Sequence, residues 1–255
     1  MKLDTRQAGE LLHLMLDMGE MLLCSGAEVN RVEDTLTRLG AAYGARRTDV
    51  FAITSSIVVT ITFSEDMELT NTRRILTSGS TDFSRLEKLN ALSRRCCAQP
   101  MTIAEFRSRL DAIKNSSPVG ALYGAGAVLA AGSFAVFFGG TVYDGIAAAS
   151  FALIIVLLQR CLAKLCPNNV IFNLICSFVV GAGICAAAKI MPWLNADKIM
   201  IGDIMLLIPG IAMTNSVRDI LVGDTIYGIM RLIESLIWAG ALACGFMAAI
   251  WLIGG

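Results

Sequence analysis

The apolar and polar positions of this chain follow two patterns, which meet near residue 117. In the first part, Val29, Val32, Leu36 and Leu39 recur at steps of three and four residues, which predicts an amphipathic helix. β-Branched residues follow after Gly44 and predict strands. The predicted helices cover residues 4–24, 27–43, 82–97 and 102–114, and the predicted strands 49–54, 56–64 and about 67–75. Residues 1–117 are therefore expected to form a small α+β domain.

The second part of the chain, residues 118–255, consists largely of apolar runs. A transmembrane helix takes about 20 mostly apolar residues. Five runs meet that requirement: about 119–138, 143–163, 170–190, 199–222 and 228–253. The composition agrees, since the chain is 55% hydrophobic and 15 of its 21 basic and 15 of its 21 acidic residues lie in 1–117. We therefore expect an α-helical integral membrane protein with five transmembrane helices and an N-terminal cytoplasmic α+β domain.

The fourth apolar run contains a helix breaker followed by polar residues. Pro209 cannot donate a backbone hydrogen bond, and Gly210 does not favour a helical conformation. The helix should therefore break there. Asn215, Arg218 and Asp219 follow at spacings that place them on one side of a helix. Such a break with ionisable residues is typical of a solute site in a transporter. The alternative is that the two charged side chains mark the cytoplasmic end of the span and reach into the headgroups.

Three further polar residues lie in or beside the apolar runs. Asp144 is either a cap of the second span or a proton or cation relay, because a negative charge suits a helix N-terminus. Asp203 either begins the fourth span at the membrane interface or belongs to the polar site. Asn173 either joins helices by hydrogen bonding or contacts the substrate. We include all three among the candidate substrate-binding or proton-coupling residues.

Nothing in the soluble part indicates an enzyme. The chain has one histidine, and its eight cysteines do not have the spacing of zinc ligands, so neither a metal nor a cofactor is expected. The balanced charge gives no indication of nucleic-acid binding. Lys and Arg near the predicted loops favour an inside N-terminus. On that side lie Arg160, Lys164, Arg218 and Arg231, and on the outside Lys189 and Lys198.

Two segments resemble the threonine/serine exporter family. Residues 26–35, Gly-Ala-Glu-Val-Asn-Arg-Val-Glu-Asp-Thr, are similar to the opening signature of that family, and residues 209–219, followed by Gly223-Asp224, are similar to its late membrane signature. Order, spacing and length match the N-terminal half of the family (the domain of unknown function 1212).

This resemblance implies proton-driven efflux of small amino or carboxylic acids across the inner membrane, of threonine and serine or of a dicarboxylate such as succinate. It further implies a split form that works with a separate small membrane subunit (the domain of unknown function 3815), as a hetero- or homo-oligomer. Arg218 would then hold a carboxylate, Asn215 would orient the substrate, and Asp219 or Asp144 would couple to protons. Glu28 and Arg31 are candidates for a cytoplasmic gate or interface. The competing hypothesis is a membrane-anchored sensor or scaffold whose soluble domain binds a ligand or partner.

Overall fold

The computed structural model describes residues 4–53, 55–75, 82–116, 120–162 and 168–254. Within it the chain divides into two compact units. The first unit contains Met1–Pro118 together with Ile211–Leu232, and the second contains Val119–Gly210 together with Ile233–Gly255. The predicted domain boundary after residue 117, and Lys164 of the orientation argument, lie outside the described residues.

The N-terminal part of the first unit is a three-stranded antiparallel sheet with four helices, as the sequence predicts. The strands pair in the order β1-β2-β3. Their bounds, and those of the helices, are α1 (Thr5–Cys24), α2 (Val29–Ala42), β1 (Arg47–Ile53), β2 (Ser56–Ser64), β3 (Met67–Arg74), α3 (Phe83–Ala98) and α4 (Ile103–Lys114).

Local sequence signals explain where these elements begin and which face they bury. Asp4 caps α1 in a reciprocal box with Gln7, and the Thr102 hydroxyl caps α4 by accepting from the backbone N of Glu105. Ile57 and Ile61 of β2 are completely buried, because alternate positions of a strand face the same side. They form one apolar core with residues of α1, α2, α3 and α4.

Within the described residues, the five predicted apolar segments form helices, and the fourth is interrupted. The bounds are α5 (Gly120–Phe137), α6 (Val142–Leu162), α7 (Asn169–Ile190), α8 (Ala196–Leu207), α9 (Gly210–Val222) and α10 (Thr225–Ala249), after which Ile250–Gly254 forms a π-helical turn. The break between α8 and α9 falls at Ile208 and Pro209, where the proline predicts it.

Among the residues that the structure describes, length and composition allow three helices to cross a membrane, or four if the bent pair α8 and α9 counts as one span. The three are α6, α7 and Thr225–Ile253, while Tyr123–Phe137 of α5 is a shorter apolar helix. The protein is therefore a multi-pass membrane protein, and the predicted number of five spans remains a prediction.

Small residues allow close helix packing in the second unit. Ala131 and Ala135 of α5 and Ala148 and Ala152 of α6 are buried, and the backbone of Gly202 in α8 lies directly against α5. α5 packs on both α6 and α8, and α7 adjoins α6 and α8. These helices bury the polar residues Asp144, Asn173 and Asp203.

Candidate functional site

The segment 26–35 lies at the turn between α1 and α2. Gly26 has a φ of 90°, a conformation that other residues rarely adopt, and it ends α1 by donating to the carbonyl of Leu23. Glu28 then stands at the N-terminus of α2, where its side chain makes no capping hydrogen bond. The Glu28 carboxylate is therefore available for a partner elsewhere in the unit.

That partner comes from the late signature segment. Arg218 Nη1 of α9 donates to Glu28 Oε1 at 2.6 Å, across 190 positions of the chain. The Glu28 side chain is 20% exposed and that of Arg218 is 60% exposed, so the pair is accessible to water. The two segments that carry the family resemblance thus meet directly in one unit.

A cavity of about 370 Å³ adjoins this ion pair. Its polar lining includes Glu28 at the N-terminus of α2, Arg31 of α2, Glu87 and Asn90 of α3, and Asn215 of α9. Apolar side chains complete the lining, among them Leu22, Val32 and Phe83. The cavity therefore offers carboxylate, guanidinium and amide groups beside apolar surface, a combination suited to a small polar solute.

Asp219 lies on the buried side of α9. Its residue is 4% exposed, and its Oδ2 atom has no hydrogen-bond partner among the described residues. The charged groups that act on it are Arg231, Glu28, Asp224 and Arg218. Two positive and two negative groups thus act on this carboxylate, and their formal charges sum to zero.

The turn between α9 and α10 positions Arg231. Gly223 has a φ of 110°, which lets the chain turn after α9, and the backbone N of Asp224 donates to the Asp219 carbonyl. Two residues into α10, Tyr227 is buried in the core of the first unit. Arg231 Nη1 donates to the Tyr227 hydroxyl at 3.1 Å, and its guanidinium lies 5.5 Å from the ring centroid.

Glu33 of the first signature segment interacts electrostatically with Asp224, which follows the late one. Burial raises the pKa of its carboxyl above the ordinary value, while the hydrogen bond from the backbone N of Ala52, at 2.9 Å, lowers that pKa in part. The negative charge of Asp224 raises the Glu33 pKa further. Carboxylates of both signature segments therefore influence one another electrostatically.

Asp144 belongs to the second unit and is completely buried. Its carboxylate accepts from the backbone N and hydroxyl of Thr141 at 2.7 and 2.8 Å, and from the backbone N and amide of Asn195 at 2.7 and 3.0 Å. The Thr141 hydroxyl in turn accepts from the backbone N of Asp144, which is the reciprocal geometry of a capping box. The carboxylate therefore ties the start of α6 to the residue before α8.

Asn173 and Asp203 are also buried in the second unit. The Asn173 backbone carbonyl accepts from the Ser177 hydroxyl at 2.7 Å within α7. Both carboxylate oxygens of Asp203 are buried and lack a hydrogen-bond partner among the described residues. Pro209 and Gly210 are the last residues of Val119–Gly210, the first of the two stretches of chain that form this unit.

The candidate residues thus separate into two groups. Glu28, Arg31, Asn215, Arg218 and Asp219 lie together in the first unit, whereas Asp144, Asn173, Asp203, Pro209 and Gly210 belong to the second. Sequence reasoning missed Glu33, Glu87 and Tyr227. Glu33 lies inside the signature segment and was a detectable candidate, but only folding brings Glu87 and Tyr227 to the site.

The sequence from residue 13 to residue 253 matches the family described as "Putative threonine/serine exporter". The chain belongs to the threonine/serine exporter family. It is 24% identical over 254 residues to a protein of Mycobacterium tuberculosis (strain ATCC 25618 / H37Rv) named "Probable threonine/serine exporter", which covers 97% of this chain and 47% of that protein. It is 23% identical over 254 residues to the "Threonine/serine exporter" of Corynebacterium glutamicum, covering 95% of this chain and 51% of that protein.

This member of the threonine/serine exporter family spans about half the length of the curated relatives that it matches. No solved structure matches the chain.

Proposed function

We propose that this chain forms part of a secondary exporter of small amino acids, with threonine and serine as substrates. Family membership and the printed names of two relatives support this function, and the apolar helices support a location in a membrane. The proposal includes a cytoplasmic N-terminal domain over 1–117, an inner-membrane domain over 118–255 and coupling to the proton gradient.

The observation that carries the proposal is the contact between Glu28 and Arg218 beside the cavity. A free amino acid has a carboxylate and an ammonium group, so its site needs groups of both signs. Arg31 offers a cation for the carboxylate, Glu28 and Glu87 offer carboxylates for the ammonium, and Asn215 offers an amide for a side-chain hydroxyl. A dicarboxylate such as succinate would meet the like charge of two glutamates, which favours the amino acid.

The Glu28–Arg218 pair would act as a gate contact at this cavity. The pair is accessible to water, so its net contribution to stability is small, about 1 kcal/mol or less. Such a contact can open and close at little cost when a solute competes for either charge. We assign substrate recognition to the cavity and control of access to the ion pair.

The two relatives are about twice as long as this chain. We propose that a separate small membrane subunit supplies the corresponding half. Co-purification of a tagged chain with the small membrane protein, followed by reconstitution of each alone and of both together, tests this part. Full export by the tagged chain alone would contradict it.

A charge-swap experiment tests the site. Glu28→Arg and Arg218→Glu should each lower export of labelled threonine from cells or proteoliposomes about 10-fold, because each variant places like charges next to each other at the cavity and prevents the gate contact from forming. The double variant Glu28→Arg/Arg218→Glu restores an ion pair and should recover part of the export, although among its described lining residues the cavity keeps only the Glu87 carboxylate for the ammonium group. The matched control is the swap of Glu105 and Arg109, whose ion pair lies on α4, and it should leave export unchanged.

The same assay distinguishes an exporter from the competing hypothesis of a membrane-anchored sensor or scaffold. Threonine, serine and succinate are compared, with and without the small membrane subunit. Absence of flux of all three in every combination, together with saturable binding of one of them, would establish a sensor instead of an exporter. Equal export by the single and double swap variants would remove the ion pair from the mechanism.

A further inference from the structure

Asp203 lies in the middle of α8 on its most buried face. Ile199 and Leu207, four residues before and after it, are buried, and so is Met200. α8 packs against α5, α6 and α7, and the adjacent Gly202 contacts the α5 backbone around Ala131. The carboxyl group is therefore enclosed by helices, with 0% of the residue exposed.

This carboxyl group has no compensating partner in the part of the chain that the structure describes. Asp144 of the same unit is equally buried, but four hydrogen bonds from Thr141 and Asn195 satisfy it. Neither oxygen of Asp203 receives one. The two aspartates thus have opposite environments within one unit.

In the described part of the chain, the titratable and charged groups on the neighbouring helices provide no counter-charge to Asp203. The Cys176 thiol of α7 is the group that interacts electrostatically with Asp203, and it carries no positive charge. On α6, Asp144 is engaged as described, and Arg160 lies in the last turn. On α7, Lys189 lies in the last turn. On α5, the Tyr123 hydroxyl donates to Gln159.

An ionised carboxylate in such a place is very costly, because it loses its hydration without gaining a hydrogen bond or a counter-charge. Binding a proton removes that cost with no further ligand. A metal cation would need several oxygen ligands, and the described residues contain no group of three or more acidic, histidine or cysteine side chains that could hold one. The site therefore suits a proton.

We propose that Asp203 is the residue that binds and releases the proton coupled to export. This inference rests on the proposed exporter function. Water on the outer side gives a proton to the Asp203 carboxylate, forming the neutral acid, and the acid later gives that proton to water on the inner side while the amino acid moves outward. No bond other than the O–H bond forms or breaks, and no further reactant is needed.

Two measurements on the full chain, reconstituted with its small membrane subunit, test this assignment. The first is infrared difference spectroscopy of the carboxylic-acid carbonyl stretch. A band of a protonated acid should be present at neutral pH in the wild type, absent in Asp203→Asn and retained in Asp197→Asn. Asp197 is an exposed residue in the first turn of the same helix and provides the matched control.

The second measurement separates coupled transport from exchange. Asp203→Asn mimics the neutral acid, so it should fold normally and retain exchange of labelled for unlabelled threonine. Transport driven by an imposed pH gradient should fall about 10-fold or more. Asp203→Glu restores an ionisable group and should recover part of the gradient-driven transport, and Asp197→Asn should behave as the wild type.

The other possible results contradict either the role of Asp203 or the exporter function. Gradient-driven transport by Asp203→Asn at the wild-type rate, or an unchanged infrared band, would overturn the role of Asp203. Loss of exchange together with gradient-driven transport in a well-folded Asp203→Asn protein would also overturn it, since a proton carrier is not needed for exchange. Absence of both activities in the wild type would instead refute the exporter function.

Discussion

Replacing Asp144 by Asn tests whether this buried carboxylate joins helices or relays protons. The carboxylate accepts four hydrogen bonds, two from Thr141 and two from Asn195. An Asn side chain has one acceptor oxygen, and its NH₂ group would face donors. The variant therefore loses the charge of the acceptor and leaves at least one buried donor without a partner.

The magnitude follows from these four bonds. A hydrogen bond to a charged group contributes about 1.5–3 kcal/mol and a neutral one about 0.5–1.5 kcal/mol, so each bond should weaken by about 1 kcal/mol. The bonds share one carboxylate and do not add fully, but the buried donor left without a partner adds its own desolvation cost, which gives a total of roughly 3–5 kcal/mol. For a chain of this size that loss corresponds to a decrease of roughly 6–20 °C in Tm.

The assay is thermal unfolding of the purified protein in detergent, followed by tryptophan fluorescence or by loss of the monodisperse peak. Thr141→Val removes the hydroxyl but keeps the backbone donor, so it should lower Tm by only a few degrees. Asp144→Asn combined with Asn195→Ala should cost less than the sum of the single changes, because both remove the same bonds. A Tm of Asp144→Asn within about 2 °C of the wild type would refute the structural role.

Two further variants concern the first unit. Because burial and Asp224 raise the Glu33 pKa, the folded state binds that proton more tightly than the unfolded chain, and wild-type stability should fall as pH rises from the ordinary value through the raised one. In thermal scans, Glu33→Gln should therefore equal the wild type at low pH and become relatively more stable above that window; a difference independent of pH would contradict this. Tyr43→Phe should cost about 1–2 kcal/mol by denaturant unfolding, since the buried hydroxyl donates to the Met101 carbonyl at 3.0 Å. The exposed Tyr123→Phe is its control, and equal losses in both would refute the argument.

The fold of the N-terminal part was predictable because its signals are local. The alternation of Ile57, Val59 and Ile61 marks the buried face of β2, and the Thr102 cap marks the start of α4. The break at Pro209 was predictable for the same reason, since a missing N–H acts on its own helix. That α9 belongs to the first unit, together with the N-terminal part of the chain, was not predictable from local patterns. It follows from contacts such as Glu28–Arg218, which join positions 190 residues apart.

The polar residues of the second unit show where sequence reasoning stops. Asp144 and Asp203 each lie in an apolar run, and spacing alone allows either to be a structural or a proton-carrying group. The difference between them arises from Asn195, which donates twice to Asp144 from 51 positions away, while no comparable donor reaches Asp203 in the described residues. Burial of a carboxyl group can be guessed from hydropathy, but its partners depend on tertiary packing.

The division of the chain into two units explains why polar residues follow the break at Pro209. Ionisable groups in an apolar segment are tolerated only where protein groups or water satisfy them. Arg218 pairs with Glu28 at the N-terminus of α2, and Arg218, Arg231, Glu28 and Asp224 act electrostatically on the Asp219 carboxylate, all within the first unit. The first unit resumes at Ile211, immediately after Gly210. The residues that follow the break are therefore polar because they complete the unit that contains the cavity, and this accounts for the occurrence of a helix breaker and a charged cluster in the same short segment.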